Sequence, residues 1–373
     1  MKLKSLKLTN FRNYAEQKLC FNQNLNVFLG NNAQGKTNLL ESIYLLALTR
    51  SHRTFKDKEL IGPEQDFAKL TAEIENNKGQ MMLEVELTSH GKKTKVNHLE
   101  QAKLSNYIGK LNVVLFAPED LELIKGSPMQ RRKFIDMELG QIKPLYVYHL
   151  NQYQKTLKQR NQLLKMPKPD ALFLDVLDEK LAEHGSYLMQ ERVAFVQKLE
   201  QFASQVHSDI SQTKEKLTLT YQTVLPIDDQ LQANLLKLLQ QNRSRDLEQR
   251  TTLKGPHRDD LLLFINDRNV QVYGSQGQQR LAALSLKLSE VELICEEIGE
   301  YPILLLDDVM SELDNERQMQ LMKAIENKVQ TFITTTTLKH LKAQMEVQPA
   351  IFDVKAGVAK ERDENRGRKS ENE

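Results

Sequence analysis

An apolar run, Leu25-Asn-Val-Phe-Leu29, feeds directly into Gly30-Asn31-Asn32-Ala33-Gln34-Gly35-Lys36-Thr37. Residues 38 to 49 then repeat apolar side chains at helical spacing. Strand, glycine-framed loop and helix in that order make a phosphate-binding loop, and no other feature of the chain narrows its fold as far. Successive backbone N–H groups curl around a β-phosphate, and the helix N-terminus adds partial positive charge. Gly35 lets the backbone come close, Lys36 neutralises β/γ oxygens, and the Thr37 hydroxyl ligates Mg²⁺. The reading predicts an ATP site over Gly30 to Thr37.

A metal held by one hydroxyl needs a carboxylate. Ile303-Leu-Leu-Leu306 reads as a buried parallel strand and ends in Asp307-Asp308. Asp307 stands where a Walker B aspartate holds Mg²⁺ through water, and Asp308 where a general base, or a residue that orients the attacking water, stands. Ahead of that strand, Ser275-Gln276-Gly277-Gln278 opens a helix predicted to reach Ile298. A hydroxyl, a glycine N–H and a helix N-terminus together suit a second anion, a γ-phosphate.

The remainder predicts the organisation. With 373 residues there is room for two domains, or three. Hydrophobic residues are 40% and charged residues 27%, which excludes wholesale disorder. Mean hydropathy is −0.53 and no run approaches a membrane span, so the reading is a soluble protein without a signal peptide. Two cysteines, Cys20 and Cys295, suit a reduced compartment and are read as small buried hydrophobes; they cannot build a zinc site. A net charge of +2 means that an anionic partner must meet a local patch.

Residues 1–127 read as α/β, with alternating strands at Lys2 to Leu8, Phe67 to Ile74 and Met81 to Leu87, the last two joined by a turn at Asn76 to Gly79. Residues 128–250 read as helical. Tyr146, Leu150, Tyr153, Leu157 and Leu164 form one stripe, Pro167-Lys-Pro169 breaks it, and a second runs from Leu177 to Val206. That is either an antiparallel helical arm or a helical subdomain packed on a core. Residues 251–355 return to α/β, with strand-like runs from Asp260 to Val272 around a turn at Asn266-Asp267 and a strand from Gln330 to Thr336; 356–373 read as a disordered tail.

Ser-x-Gly-Gln placed one helix before a Walker B strand resembles the signature of the ABC ATPase superfamily. Thr9-Asn-Phe-Arg12-Asn-Tyr14, Glu119-Asp120-Leu121, Lys125-Gly-Ser-Pro128, Arg131-Arg132-Lys-Phe-Ile-Asp136, Lys254-Gly-Pro-His-Arg-Asp-Asp260, Gly274-Ser-Gln-Gly-Gln-Gln-Arg280 and Leu306-Asp-Asp-Val-Met-Ser-Glu-Leu-Asp314 narrow it. Together they resemble the RecF family of SMC-like ATPases, in order, from residue 1 to about 355.

The resemblance implies an ABC-type ATPase head with an inserted helical arm. It further implies an ATP-dependent homodimer that binds single-stranded or gapped DNA, helps to load recombinase, supports replication, recombination and SOS induction, and works with RecR and RecO in the cytoplasm, at the nucleoid. By position it makes Ser275 to Gln278 the signature that completes the partner copy's site. Ser311 and Asp314 belong to the D-loop, and Arg12 lies near the phosphates. Thr335 or a neighbour takes the switch position after the last strand.

Two departures imply slow hydrolysis, a switch rather than a motor: Asp308 stands where most of the superfamily has glutamate, and no histidine occupies Ile333 to Thr337. Arg131 to Lys133, the run Lys155, Lys158, Arg160 and Lys165, and Lys92, Lys93 and Lys95 are candidate DNA contacts or solvated faces. His52 and His257 have no assigned role. A transporter ATPase subunit is the alternative, disfavoured by the long chain between Lys36 and Ser275; a small-molecule kinase would have no use for the signature.

Overall fold

In a parallel sheet covered on both faces every strand residue is buried, so its strands read as unbroken apolar runs. Residues 303–306 and Val113–Phe116 are such runs, and in the computed structural model they pair in parallel with Leu25–Leu29 and Thr331–Thr335, where Asn26 and the threonines are buried as well. The structure describes residues 1–211, 215–311, 315–325, 328–338 and 348–362. The chain divides into two compact units, Met1–Glu119 with Val291–Glu373, and Asp120–Glu290.

In the first unit the parallel sheet runs, in spatial order, Val358–Glu361, Ala350–Lys355, Leu25–Leu29, Thr331–Thr335, Ile303–Asp307, Val113–Phe116. One strand, Thr331–Thr335, therefore separates the strand that feeds the phosphate loop from the strand that carries Asp307. Phe28, Phe332 and Phe352 meet Phe21 on one face of this sheet, with centroids 4.9 to 6.3 Å apart, and pin the central strands together. The second sheet of this unit is antiparallel, built mainly from Lys2–Phe11, Tyr14–Cys20, Phe67–Asn76, Gly79–Thr88 and Gly91–Val96. Its Asn76–Gly79 turn is where the sequence places it, with Gly79 at φ +114°. Gln330 exchanges two hydrogen bonds with the Leu3 backbone (2.6 and 3.0 Å) and ties the two sheets together.

The expected tail is not tail at its start. Residues 358–361 form the outer strand of a hairpin with Ala350–Lys355, turning at Ala356-Gly357. The antiparallel ladder satisfies their backbone groups, which composition alone cannot reveal. Residues 363–373 lie outside the described ones. Thr331–Thr335 is accordingly not the last strand, since this hairpin follows it.

The second unit is larger than the expected 128–250 insert. Leu217–Gln222, inside a stretch read as helical, is a strand paired antiparallel with Asp260–Ile265. A lone strand leaves its backbone polar groups unpaired, so Leu217–Gln222 draws residues beyond 250 into its own unit. Within it, the helices Pro144–Leu163 and Ala171–Ser211 run antiparallel, as Lys143–Glu191, His149–His184 and Arg160–Asp178 contacts show. The long helix also packs against Leu217–Gln222 and the helix Leu231–Gln241, so the packed-subdomain reading describes it. Val270–Tyr273, expected as strand, is a helical turn because the Asn269 side chain accepts from Gln271 N and Val272 N.

Candidate nucleotide site

Ligands in open α/β sheets bind at the carboxyl ends of the strands. Here Leu29, Thr335 and Asp307 end three adjacent strands. Residues from the phosphate loop, Asp307, Asp308, Thr334 and Arg53 line a cleft of about 370 Å³.

The loop is shaped by conformations that only some residues adopt. Gly35 sits at φ +114°, and a Cβ there would lie 2.7 Å from Asn13 Nδ2 and 2.9 Å from the Tyr14 hydroxyl. The terminal hairpin braces the loop from outside: Gly357 N donates to Gln34 O (3.1 Å) and Ala356 N to Gln34 Oε1 (2.9 Å). Lys36 is buried, with Nζ donating to Gly30 O (2.7 Å) and Asn31 O (2.9 Å). Burial pulls its pKa down while Asp308 and Asp307 oppose that pull. A lysine folded back onto the loop's own carbonyls keeps the loop open in the shape a phosphate would fill.

Thr37 and Asp307, far apart in sequence, meet: Thr37 Oγ1 donates to Asp307 Oδ1 at 3.0 Å. A hydroxyl beside a carboxylate is the hard oxygen donor set that Mg²⁺ takes, with Thr37 as the ligand and Asp307 holding the ion through water. The pair therefore fits that metal. Asp307 Oδ1 also accepts from the Thr334 hydroxyl (2.7 Å), which in turn accepts from Asp308 N (2.9 Å). Thr334 thus orients both carboxylate positions at once, and the neighbouring Thr335 turns to Thr337 O instead (3.0 Å). Asp308 is exposed at φ +53°, a left-handed conformation that aspartate tolerates.

Arg12 does not line this cleft in the structure. Its guanidinium is spent on Glu41, through Nε to Oε2 (2.9 Å) and Nη2 to Oε1 (2.7 Å), and on Glu59 O through Nη1 (2.8 Å). Arg53 is the arginine that lines the cleft. His52 beside it has both ring nitrogens buried without a hydrogen-bond partner and packs edge-on against Tyr44. Burial lowers its pKa.

The signature residues lie in the second unit. Ser275 and Gln278 form a reciprocal helix cap, with Ser275 N donating to Gln278 Oε1 (2.9 Å) and Gln278 N to Ser275 Oγ (3.2 Å). The Ser275 hydroxyl proton stays available for an acceptor, Gln276 is exposed, and the space beside Gly277 is open. Gln278 Nε2 is held by Glu215 (2.8 Å). Of the D-loop positions, Ser311 ends a short 3₁₀ turn, and Asp314 lies outside the described residues.

The basic clusters divide between residues spent on the fold and residues left exposed. Arg131 pairs with Asp260 through two hydrogen bonds (2.7 and 2.8 Å), Arg132 donates to Asp259 O (2.6 Å), and Arg160 is fully buried between Asp178 and Asp246. Lys92 binds Thr49 O and Asp57. Lys93, Lys155, Lys158 and Lys165 are exposed. The Lys254 to Asp260 string, whose histidine had no role, is a packing hub: His257 bridges the Tyr153 hydroxyl (2.7 Å) and Thr252 O (2.9 Å), and Pro256 O accepts from buried Arg192 (2.7 Å). Cys20 is exposed and Cys295 half-buried; both are free, against the expectation of two buried side chains.

Sequence reading missed Arg53, Glu41 and the Ala356-Gly357 brace, and held Thr334 only as a neighbour of Thr335. Only the brace left a signal, a turn dipeptide between two alternating segments.

The RecF/RecN/SMC N terminal domain family matches residues 2–360. The DNA replication and repair protein RecF of Enterococcus faecalis is 56% identical over 367 residues, covering 96% of this chain and 98% of that protein. The chain belongs to the RecF family. The RecF of Oceanobacillus iheyensis is 48% identical over 367 residues, with 96% and 100% of the two chains covered. A solved structure described as the recombination mediator protein RecF-ATP in the RecFOR pathway superposes with a TM-score of 0.89 at 37% identity, over 97% of each chain. An SMC head bound to the winged-helix domain of ScpA shares the fold alone, with a TM-score of 0.58 at 15% identity over 99% of this chain and 100% of that one. RecF membership sets the transporter reading aside. Among the described residues, no helix is long and apolar enough to cross a membrane.

Proposed function

We propose that this chain is an ATP-switched DNA-binding protein of recombinational repair and replication, in which ATP and Mg²⁺ bound at the Gly30–Thr37 cleft join two copies head to head. The contact between Thr37 and Asp307 carries the reading, because it assembles the metal pair from the phosphate loop and the Walker B strand. Mg²⁺ held by Thr37 and Asp307 would neutralise phosphate charge. Lys36 exchanges its two loop carbonyls for phosphate oxygens, and the loop N–H groups from Asn31 to Thr37 cradle the β-phosphate. Asp308 holds the attacking water. Its side chain is one methylene shorter than glutamate, which supports slow hydrolysis and a switch.

Each nucleotide would then be closed by Ser275 to Gln278 of the other copy, with Ser311 and Asp314 at the seam. Single-stranded or gapped DNA is the substrate, and the exposed Lys93, Lys155, Lys158 and Lys165 are its candidate phosphate contacts. RecR and RecO are the partners that family membership suggests, in the cytoplasm at the nucleoid, with loading of recombinase and SOS induction as the outcome.

The test is a gel shift with single-stranded, double-stranded and gapped DNA, with and without ATP, run beside sedimentation of the protein. Wild type should dimerise and retain DNA with ATP. Ser275→Arg, which places a bulky cation where the γ-phosphate docks, should bind ATP yet remain monomeric. DNA binding indifferent to ATP, or a dimer of Ser275→Arg at wild-type strength, refutes the proposal.

A further inference from the structure

Buried polar atoms are almost always hydrogen-bonded, and His207 is an exception. Its ring lies near the end of the helix Ala171–Ser211 and has no exposed surface. Nδ1 is 3.2 Å from Ser285 Oγ on the helix Gln276–Ile298, and that hydroxyl donates its own proton to Leu281 O at 2.8 Å. Ser285 Oγ is therefore the acceptor, Nδ1 carries the hydrogen, and in the neutral ring Nε2 is a bare lone pair. Nε2 has no hydrogen-bond partner among the described residues. It faces another acceptor, Glu215 Oε2, at 3.8 Å. One proton on Nε2 would turn two opposed acceptors into an ion pair.

Glu215 reaches the signature with its other oxygen. Oε1 accepts from Gln278 Nε2 at 2.8 Å, and Gln278 Oε1 in turn accepts from Ser275 N at 2.9 Å. A chain of side chains thus runs from the buried ring through Glu215 and Gln278 to Ser275. Glu215 fixes the signature glutamine, yet its charge opposes any anion that docks beside it. Among the described residues Glu215 is the charged group that bears on the ring. Ser285 is neutral, and no charge on the helices Pro128–Ile142, Pro144–Leu163 and Leu231–Gln241 or on the strand Leu217–Gln222 acts there. Burial lowers the pKa of the ring, and Glu215 opposes that pull.

We infer that Glu215 is a positioning residue of the signature and that His207 behind it takes up a proton from solvent when the other copy's γ-phosphate docks at Ser275, which makes ATP-dependent dimerisation proton-linked. The inference rests on the proposed dimer and adds how its seam responds to pH. An imidazolium beside Glu215 cancels the charge that the γ-phosphate would otherwise meet. The ring then holds its proton more tightly in the dimer than in the monomer. Association should strengthen as pH falls and level off below the monomer's pKa, which lies under 6.5.

Sedimentation of full-length wild type, Glu215→Gln and His207→Gln with saturating Mg·ATP, between about pH 8 and about pH 6, provides the test. Over that range the wild-type dimer should tighten about tenfold. Glu215→Gln keeps an acceptor for Gln278 and removes the charge, so it should dimerise at pH 8 as wild type does at pH 6, with a flat profile. His207→Gln should be flat at the weaker level; Glu215→Gln decides the matter if that variant does not fold. A purely structural role would not move the pH profile. A flat wild-type profile, or a wild-type slope persisting in Glu215→Gln, overturns the link. The pair itself is read without nucleotide, by NMR titration of the His207 ring, which should take its proton at higher pH in wild type than in Glu215→Gln. Equal titration overturns the pairing whether or not a dimer forms. Absence of an ATP-dependent dimer at every pH, with the ring titrating as expected, overturns the proposed function instead.

Discussion

Replacing Arg160 with alanine separates two views of one side chain. In the sequence it belongs to a basic run with Lys155, Lys158 and Lys165, a candidate DNA contact. In the fold it is fully buried, with Nε on Asp178 Oδ1 (2.6 Å) and Nη1 on both Asp246 Oδ2 (2.7 Å) and Thr252 Oγ1 (2.9 Å). Removing one partner of a buried pair costs about 3–5 kcal/mol, because the remaining charge is stranded. The two aspartates are not equally stranded. Asp178 keeps Arg243 at 2.6 Å, while Asp246 keeps only neutral donors such as Leu253 N at 3.0 Å. The cost should therefore fall near the lower bound, about 3 kcal/mol. For a unit of this size that lowers the unfolding temperature by roughly 6–12 °C, read by scanning calorimetry. Neutralising the stranded charge with Asp246→Asn in the same chain should recover part of the loss. DNA affinity measured well below the transition should stay at wild-type level. An unchanged transition with weakened DNA binding would refute the structural account.

Asp308→Asn should bind ATP normally and accumulate the ATP-bound dimer, whereas Asp307→Asn should lose the Mg²⁺ dependence of binding; identical behaviour in a binding assay with and without Mg²⁺ would end that division of roles. Gly357→Val should weaken ATP binding and lower stability, since its Cβ at φ +74° collides with Asn13 O and unseats the brace on Gln34; nucleotide titration with thermal melting checks it. Acid stability should depend on two buried groups of opposite sign. Burial pushes His257 down from 6.5 to about 4, so its contribution is present above pH 6.5 and lost as pH falls through about 4. Burial pushes Asp259 up from 3.8 to about 6, so its contribution is complete below pH 3.8 and lost as pH rises through about 6. Between pH 4 and 6 the slopes oppose, and Asp259→Asn should expose the histidine's slope, up to about 1.4 kcal/mol per pH unit, in denaturant melts; a flat variant profile would contradict this.

What was legible in the sequence was local. The phosphate loop, the strand that ends in Asp307-Asp308 and the helix opened by Ser275 are each specified by neighbours in the chain. Backbone N–H cradles, buried parallel strands and helix caps all have short-range patterns, so their elements stand where they were read. Side-chain pairing across strands has no such pattern. That Thr334 rather than Thr335 reaches Asp307 is settled by the register of two parallel strands. The same holds for Arg12 and Arg53: both are arginines near the loop in sequence, both stand beside buried Glu41, and only the fold sets Arg53 along the cleft. Charge runs are the clearest case. Consecutive or helically spaced cations look alike in sequence whether solvated or paired, and the aspartates that claim Arg131 and Arg160 come from distant segments. Tertiary structure made that choice because a charge leaves water only where an opposite charge is already waiting.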